Sequence, residues 1–365
     1  MAIETKLLVE ALTKVMDPNT GQDLITMNMV RDLSIEGNTV NFKLELPSLG
    51  NDYKQALNFA CMEAIQKIYP QADVNVHMIA KGGQAAAQTA ANPFSHIKNI
   101  IAVASGKGGV GKSTVAVNLA LGLAELGAQV GLIDADLYGP SIPTMLGLQG
   151  QRPRVQTVYD KPRLLPLHAH GIDVMSIGFI IEPEQAVVLR GPRLSGIIKQ
   201  FFHDTIWPPL DYMIVDLPPG TGDVQLSLVQ TVPVTGAVIV TTPQEVAIVD
   251  AVKAINMFGL PSVNVPILGV VENMAWFTPK ELPNNKYYLF GQGGGKKLVT
   301  QSNSLLLGQI PIVQGIREAG DAGRPAVLQD ELVVKEAFMN VAKQTARQIA
   351  TRNEQMAPTR KVDVK

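Results

Sequence analysis

The chain has 365 residues, of which 46% are hydrophobic and 17% charged, so two domains fit and global disorder is excluded. With a formal net charge of −1, no bulk attraction to nucleic acid or anionic lipid is expected. The start, with Glu4, leads into no secretory apolar run, and no stretch nears the roughly 18 apolar residues that cross a bilayer. A soluble cytoplasmic protein without nucleic-acid or membrane partners is the expectation.

Residues 1–80 are predicted to form a small α+β domain. Helical spacing over residues 6–16 stops at Asp17-Pro18, because proline disfavours helix before it. Residues 29–33 and 39–46 read as strands about the turn Glu36-Gly37-Asn38. Ala56, Leu57, Ala60, Ala64, Ile65 and Ile68 share one stripe of a helix over 53–68, and 74–79 alternates as a last strand. Residues 81–95, rich in Gly, Ala, Gln and Asn without periodicity, read as a linker. From residue 96, apolar runs at 97–104, 129–133, 212–215, 236–241 and 265–271 alternate with helical patterns. That predicts an α/β domain over 96–352 with a mostly parallel, doubly wound sheet covered on both faces. A closing helix is expected over 331–351, and the polar residues 353–365 read as a flexible tail.

The chemistry gathers after the first of these runs. Residues 105–114, SGKGGVGKST, fit G-x-x-x-x-G-K-[ST] between a strand and a helix, the setting of a phosphate-binding P-loop. Gly106, Gly108, Gly109, Val110 and Gly111 let backbone N–H groups converge on phosphate, and the helix N-terminus adds positive potential. Lys112 is expected on the β- and γ-phosphates of ATP and Ser113 on Mg²⁺, with Thr114 completing the loop. Asp134 and Asp136 follow the run 130–133, at the strand end where ligands bind in such sheets. The run 212–215 ends in Asp216, which fits a Walker B aspartate for Mg²⁺. Gly220, Thr221 and Gly222 then suit a segment that senses the γ-phosphate.

Lys107 is a second cation in the loop, and K-G-G-x-G-K-[ST] marks the deviant Walker A branch. Here the chain resembles the MinD/ParA/nitrogenase-iron-protein group. The resemblance implies a homodimer in which Lys107 reaches the partner's nucleotide, a trans cation worth on the order of 10³ to 10⁵ in rate. It implies that Asp136 orients the attacking water and that Asp134 supports it or the metal shell, a capping role for Asp134 staying open. LPPGTGD at 217–223, DADLYGPS at 134–141, Arg190-Gly191-Pro192, ENM at 272–274 and the patterns at 308–311 and 320–325 are more specific. They resemble the Mrp/ApbC family of iron–sulfur cluster carrier ATPases, as does the small leading domain. That resemblance implies a Mg²⁺-dependent ATPase with Asn273 on the adenine edge, passing [4Fe–4S] clusters to apoprotein clients or working with Fe–S assembly factors. A cluster-free, ATP-switched adaptor of Fe–S assembly is the alternative, ahead of a positioning ATPase.

One departure stands out. Members of that family usually carry a CxxC after the Asn-Met element, bridging a cluster between two subunits, whereas residues 275–288 hold no cysteine. Clusters ordinarily take four thiolates, and the chain has one cysteine, Cys61. Its place on the apolar stripe of the 53–68 helix makes a packed core thiol the leading reading and a weak Fe–S ligand the other. In the small domain, residues 46–49 stand where relatives often have a cysteine. Trp276, Phe277, Tyr287, Tyr288 and Phe290 concentrate aromatics at the place of the missing pair, an expected dimer or client contact. His168 and His170 read as one strand face, a metal pair or, more in keeping with their surroundings, structural side chains. The glycine-rich residues 291–297 read as a loop or a helix entry.

Overall fold

Strand β2 (Thr39–Leu46) sets the pattern of the first part of the chain: Val40, Phe42, Leu44 and Leu46 are buried while Lys43 is exposed, the period of two that packs one face of a sheet. The computed structural model describes all residues except 1–2, 18–20, 28, 47–50, 81–93, 95, 137–138, 159–160, 181–195, 197–199, 223–224, 227–228, 230–231, 280, 283 and 357–365. Arg190, Gly191, Pro192, Leu137, Tyr138 and Asp223, with nearly all of the expected linker and much of the expected tail, lie outside the described residues. The chain divides into two compact units, Met1–Ala91 and Asn92–Lys365.

In the first unit β2 lies between β1 (Val30–Glu36), antiparallel to it, and β3 (Asp73–Ala80), parallel to it. Gly37 (φ +63°) turns the β1–β2 hairpin, and helix α2 (Asn51–Gln66) carries the chain across between the parallel strands. Helix α1 is shorter than its spacing predicts, Thr5–Leu12. The N–H groups of Lys14 and Val15 bond back to Ala11 and Leu12, three residues away, so the last turn tightens and stops. Met16 then bridges Asp23 as extended chain, which still buries Val15. Cys61 has no exposed surface and packs in one cluster with Leu57, Ile65 and Phe42.

The second unit is an eight-stranded sheet in the order β13-β12-β11-β4-β10-β5-β9-β8. Strands β4 (Ile97–Ala104), β5 (Val130–Asp134), β9 (Ile172–Ser176), β10 (Leu210–Asp216), β11 (Gly236–Thr241), β12 (Ile267–Glu272) and β13 (Leu306–Gln309) run parallel; β8 (Leu167–Ala169) alone is antiparallel. Ile101 and Val103 pack on one face with α3 (Lys112–Glu125) and the closing helix, while Ile100, Ala102 and Ala104 pack on the other with Ile248, Ala251 and Phe258. Two buried faces explain why β4 is apolar almost throughout, only Lys98 escaping to pair with Asp211 at 2.7 Å. The register sets Asp216 beside both Val103 and Asp134, so the acidic ends of β5 and β10 meet at the carboxyl edge beside the end of β4.

Two further expectations change. The closing helix runs Leu332–Gln355, past the start of the expected tail, and Asn353 Nδ2 donates to Asn99 Oδ1 at 2.9 Å, which gives that polar end a docking partner. The hairpin of β6 (Arg154–Val158) and β7 (Lys161–Leu165) has no counterpart in the sequence reading, because β6 is exposed on both faces and so carries no apolar alternation.

Candidate nucleotide site

The P-loop lies between β4 and α3. Gly109 (φ +80°) and Gly111 (φ +79°) take the left-handed conformation that turns the loop back on itself. Gly106 is required for another reason: a Cβ there would stand 2.1 Å from the backbone of Asp250, so helix Glu245–Phe258 can approach only a glycine. Ser105 Oγ donates to the Lys107 carbonyl at 2.9 Å, and the Ser105 carbonyl accepts the N–H of Gly220 at 2.9 Å, joining this loop to the one after β10. The first turn of α3 contains no acidic side chain, leaving its positive end open to an anion.

Lys112 is 6% exposed. Its Nζ lies 2.7 Å from Asp216 Oδ1 and 3.6 Å from Asp136 Oδ2, and donates to Ser113 Oγ at 3.3 Å. Three residues up to 104 positions from Lys112 thus converge on its ammonium. Burial pushes the Asp216 carboxyl above its ordinary range, against the pull of Lys112. Burial, then the neighbouring Asp216 charge, push Asp134 up to about 8. Asp134 faces protein donors on both oxygens: Oδ1 accepts the N–H of Asp136 at 3.1 Å and Oδ2 the hydroxyl of Ser176 at 2.9 Å. Ser176 Oγ in turn accepts the Gly178 N–H at 3.0 Å. Asp134 therefore braces the loop that presents Asp136. Asp216 Oδ2 and Asp136 Oδ1 are buried and without a hydrogen-bond partner among the described residues.

A cavity of about 210 Å³ lies over the loop, lined among others by Lys107, Lys112, Asp136 and Pro219. A larger one of about 650 Å³ shares Gly111, Thr114, Ser141 and Met145 with it and extends to Asn273, Ile312, Ile316 and Pro325. Asn273 lines it and braces the P-loop, its Nδ2 donating to the Val110 carbonyl at 2.9 Å. Sequence reasoning missed Gln225, whose buried Nε2 donates to the carbonyls of Pro218 and Pro219 at 3.0 and 2.9 Å. It also missed Ser176 and Asn118. No periodicity or motif in one sequence singles out such polar residues, since what they bond is distant in the chain.

Other candidates fall away from this site. His168 Nδ1 lies 3.0 Å from Asp173 Oδ1, while His170 sits in a turn (φ +51°) with Nε2 on the Gly323 carbonyl at 3.0 Å. The two imidazoles therefore share no strand face, and among the described residues no group of three or more His, Cys, Asp and Glu is placed to hold a metal ion. Residues 291–297 include the start of helix Gly294–Ser302, whose second residue, Gly295, donates its N–H to the buried Glu272 carboxylate; a side chain already fills that helix end. Of the aromatics, Phe277 and Tyr287 close a loop by mutual backbone bonds of 2.8 Å, Lys286 Nζ stands 4.0 Å over the Trp276 ring, and Tyr287 and Tyr288 are exposed. Burial drives the Cys61 thiol up to about 12, so it stays protonated.

The sequence pattern of the NUBPL iron-transfer P-loop NTPases matches residues 96–346, and that of an iron–sulfur cluster assembly protein matches residues 7–78. An iron–sulfur cluster carrier protein of Synechocystis sp. is 46% identical over 95% of this chain and 98% of its own. Another, from Escherichia coli K12, is 41% identical over 88% of this chain and 86% of its own. A nucleotide-binding protein of Archaeoglobus fulgidus, solved in complex with ADP, is 39% identical with a TM-score of 0.55, over 64% of this chain and 89% of that one. The cell division ATPase MinD of Pyrococcus furiosus is similar in fold, at 24% identity and a TM-score of 0.51 over 68% of this chain and 99% of that one.

Proposed function

The chain belongs to the NUBPL iron-transfer P-loop NTPase family, and from that premise we propose that it is an ATP-hydrolysing iron–sulfur cluster carrier. The observation that carries the ATP half is the buried Lys112 ammonium set among Asp216, Asp136 and Ser113 beneath a glycine loop. ATP phosphates enter the 210 Å³ cavity, bound by the loop N–H groups and the end of α3, and the base and ribose take the 650 Å³ cavity beside Asn273. Lys112 then turns from the carboxylates to the phosphates.

Mg²⁺ fits the residues present: Asp216 and Asp136, each with one buried carboxyl oxygen without a partner among the described residues, and the Ser113 hydroxyl all surround the Lys112 ammonium, a hard-oxygen set. Ser113 and Asp216 would hold the ion, with Asp134 as a brace of the Asp136 loop; when bound, the ion supplies charge neutralisation on the phosphates. Asp136 orients the attacking water, its carboxylate being held at the cavity wall by the Asp134 bond to its own N–H. Lys107 lines the cavity and is only half-buried, as suits a cation lent to the nucleotide of a second copy in a homodimer.

The cluster is cargo. With one cysteine, buried and protonated, this chain cannot supply the usual four thiolates, and the protein that gives or receives the cluster brings most of them. The same buried Cys61 favours one second reading, a cluster-free adaptor whose ATP state times the binding of assembly factors. No helix among the described residues is long and apolar enough to cross a membrane, in keeping with work in the cytoplasm on protein clients. Anaerobic incubation with iron, sulfide and an apo-acceptor, with and without ATP, tests both readings. ATP-stimulated cluster transfer that is lost in Lys112→Ala supports the carrier; ATP turnover with no transfer leaves the adaptor.

A further inference from the structure

The larger cavity has a wall that the sequence gives no reason to expect near α3. Pro325 and Ala326 line it, at the start of a single tight turn, Ala326–Leu328. The turn's own bonds begin with Leu328 N–H to Pro325 and Gln329 N–H to Ala326, and the N–H of Val327, a wholly buried residue, goes elsewhere: it donates to Asn118 Oδ1 at 2.7 Å. Asn118 is 3% exposed, and its Nδ2 donates to the carbonyl of Thr114 at 2.8 Å. Thr114 lines both cavities. One side chain, 209 residues from the N–H it accepts, thus links Thr114, the residue after the P-loop motif, to the far wall of the base-side cavity. The loop leading into that wall is pressed against a second element, for a Cβ on Gly323 would stand 2.7 Å from Gly147 Cα. That contact fixes the loop on the side of Gly147, and the Asn118 bond ties it on the side of α3.

We propose that Asn118, itself among the residues lining the larger cavity, is a positioning residue for the base-side half of the nucleotide site, holding the Pro325–Val327 wall at a fixed distance from the P-loop through its bonds to Val327 and Thr114. The assignment rests on the nucleotide reading above and adds to it the side chain that sets the width of the base cleft. The two bonds are separable. Asn118→Ser keeps a hydroxyl able to reach the Thr114 carbonyl one helical turn back but is too short for Val327. Asn118→Asp keeps the acceptor for Val327 and loses the donor to Thr114.

The experiment compares ATP with inorganic tripolyphosphate, which offers the loop its phosphates but has no base or ribose. By calorimetry on the full chain, Asn118→Leu and Asn118→Ser should weaken ATP binding about tenfold, the scale of one lost buried hydrogen bond. Tripolyphosphate binding should move by less than about twofold in both, and Asn118→Asp should recover most of the ATP affinity. Retained tripolyphosphate binding also reports that each variant is folded around its P-loop. Equal weakening of both probes would mean that Asn118 merely supports the fold, and unchanged ATP binding in Ser and Leu would mean that the link sets nothing; either result overturns the assignment. A wild-type chain that binds tripolyphosphate as well as ATP removes the base cleft, and with it this assignment, while the phosphate half of the site stands.

Discussion

The two units bury different things. The core of the first is a set of apolar side chains with one neutral thiol among them, on a sheet whose β2 alternates cleanly, and the buried acid among its described residues is Asp17. The second, beside two larger apolar clusters, buries Lys112, Asp134, Asp136 and Asp216 within one small region. Taking ions out of water costs several kcal/mol each unless they are paired, and an apolar substitute would be no less stable. A fold that gathers four titratable side chains, one of them a lysine, at the carboxyl edge of its sheet keeps them for chemistry. A buried lysine set among several carboxyl groups, rather than a buried acid as such, separates the unit that carries the P-loop from the other.

Four perturbations press on that contrast. Lys112→Ala should have the largest effect: ATP turnover lost by at least about 10³-fold together with nucleotide binding, read by phosphate release and calorimetry. Near-normal turnover would mean that the buried pair with Asp216 is structural. Lys107→Ala should lower hydrolysis on the order of 10³-fold while nucleotide affinity stays close to wild type; loss of binding with hydrolysis per bound nucleotide intact would place this lysine on its own subunit's phosphates. Gln225→Leu, which strips both donors from the Pro218 and Pro219 carbonyls, should slow turnover on the order of tenfold by loosening the loop after β10. Its dissociation constant for ATP should hardly change, and a parallel loss of affinity would count against that role.

The smallest effect belongs to the other unit. Cys61→Ala should leave ATP turnover unchanged and cost about 1 kcal/mol in a denaturant titration. The thiol ionises near 9 when unfolded and about 12 when folded, so folding favours its protonated form. Its contribution is flat below pH 9 and turns destabilising as pH rises from there towards 12. At pH 8 a disulfide reagent should therefore leave the native thiol untouched and label it once urea is added. Prompt labelling of native protein would put Cys61 outside the core and restore it as a candidate ligand.

What could be read in advance follows from the range of the interaction. β4 and β11 fall where their apolar runs predict, because a strand buried on both faces must be apolar along its length. SGKGGVGKST names its own chemistry, since loop, lysine and helix start are contiguous. Element ends proved less legible. α1 stops at Leu12 through local three-residue turns, and the end of the closing helix, which runs to Gln355, meets Asn99 in a tertiary contact.

The chain by itself thus determined the parallel sheet, the P-loop, the acids at the strand ends and the single thiol, all of which are local patterns of residue type. Only the tertiary structure decided that Gly106 makes room for a helix backbone, that Ser176 holds the Asp134 carboxyl that braces Asp136, and that Asn118 reaches Val327. The physical reason is that a buried polar group must find its partner wherever the fold brings one, and sequence distance carries no record of that choice.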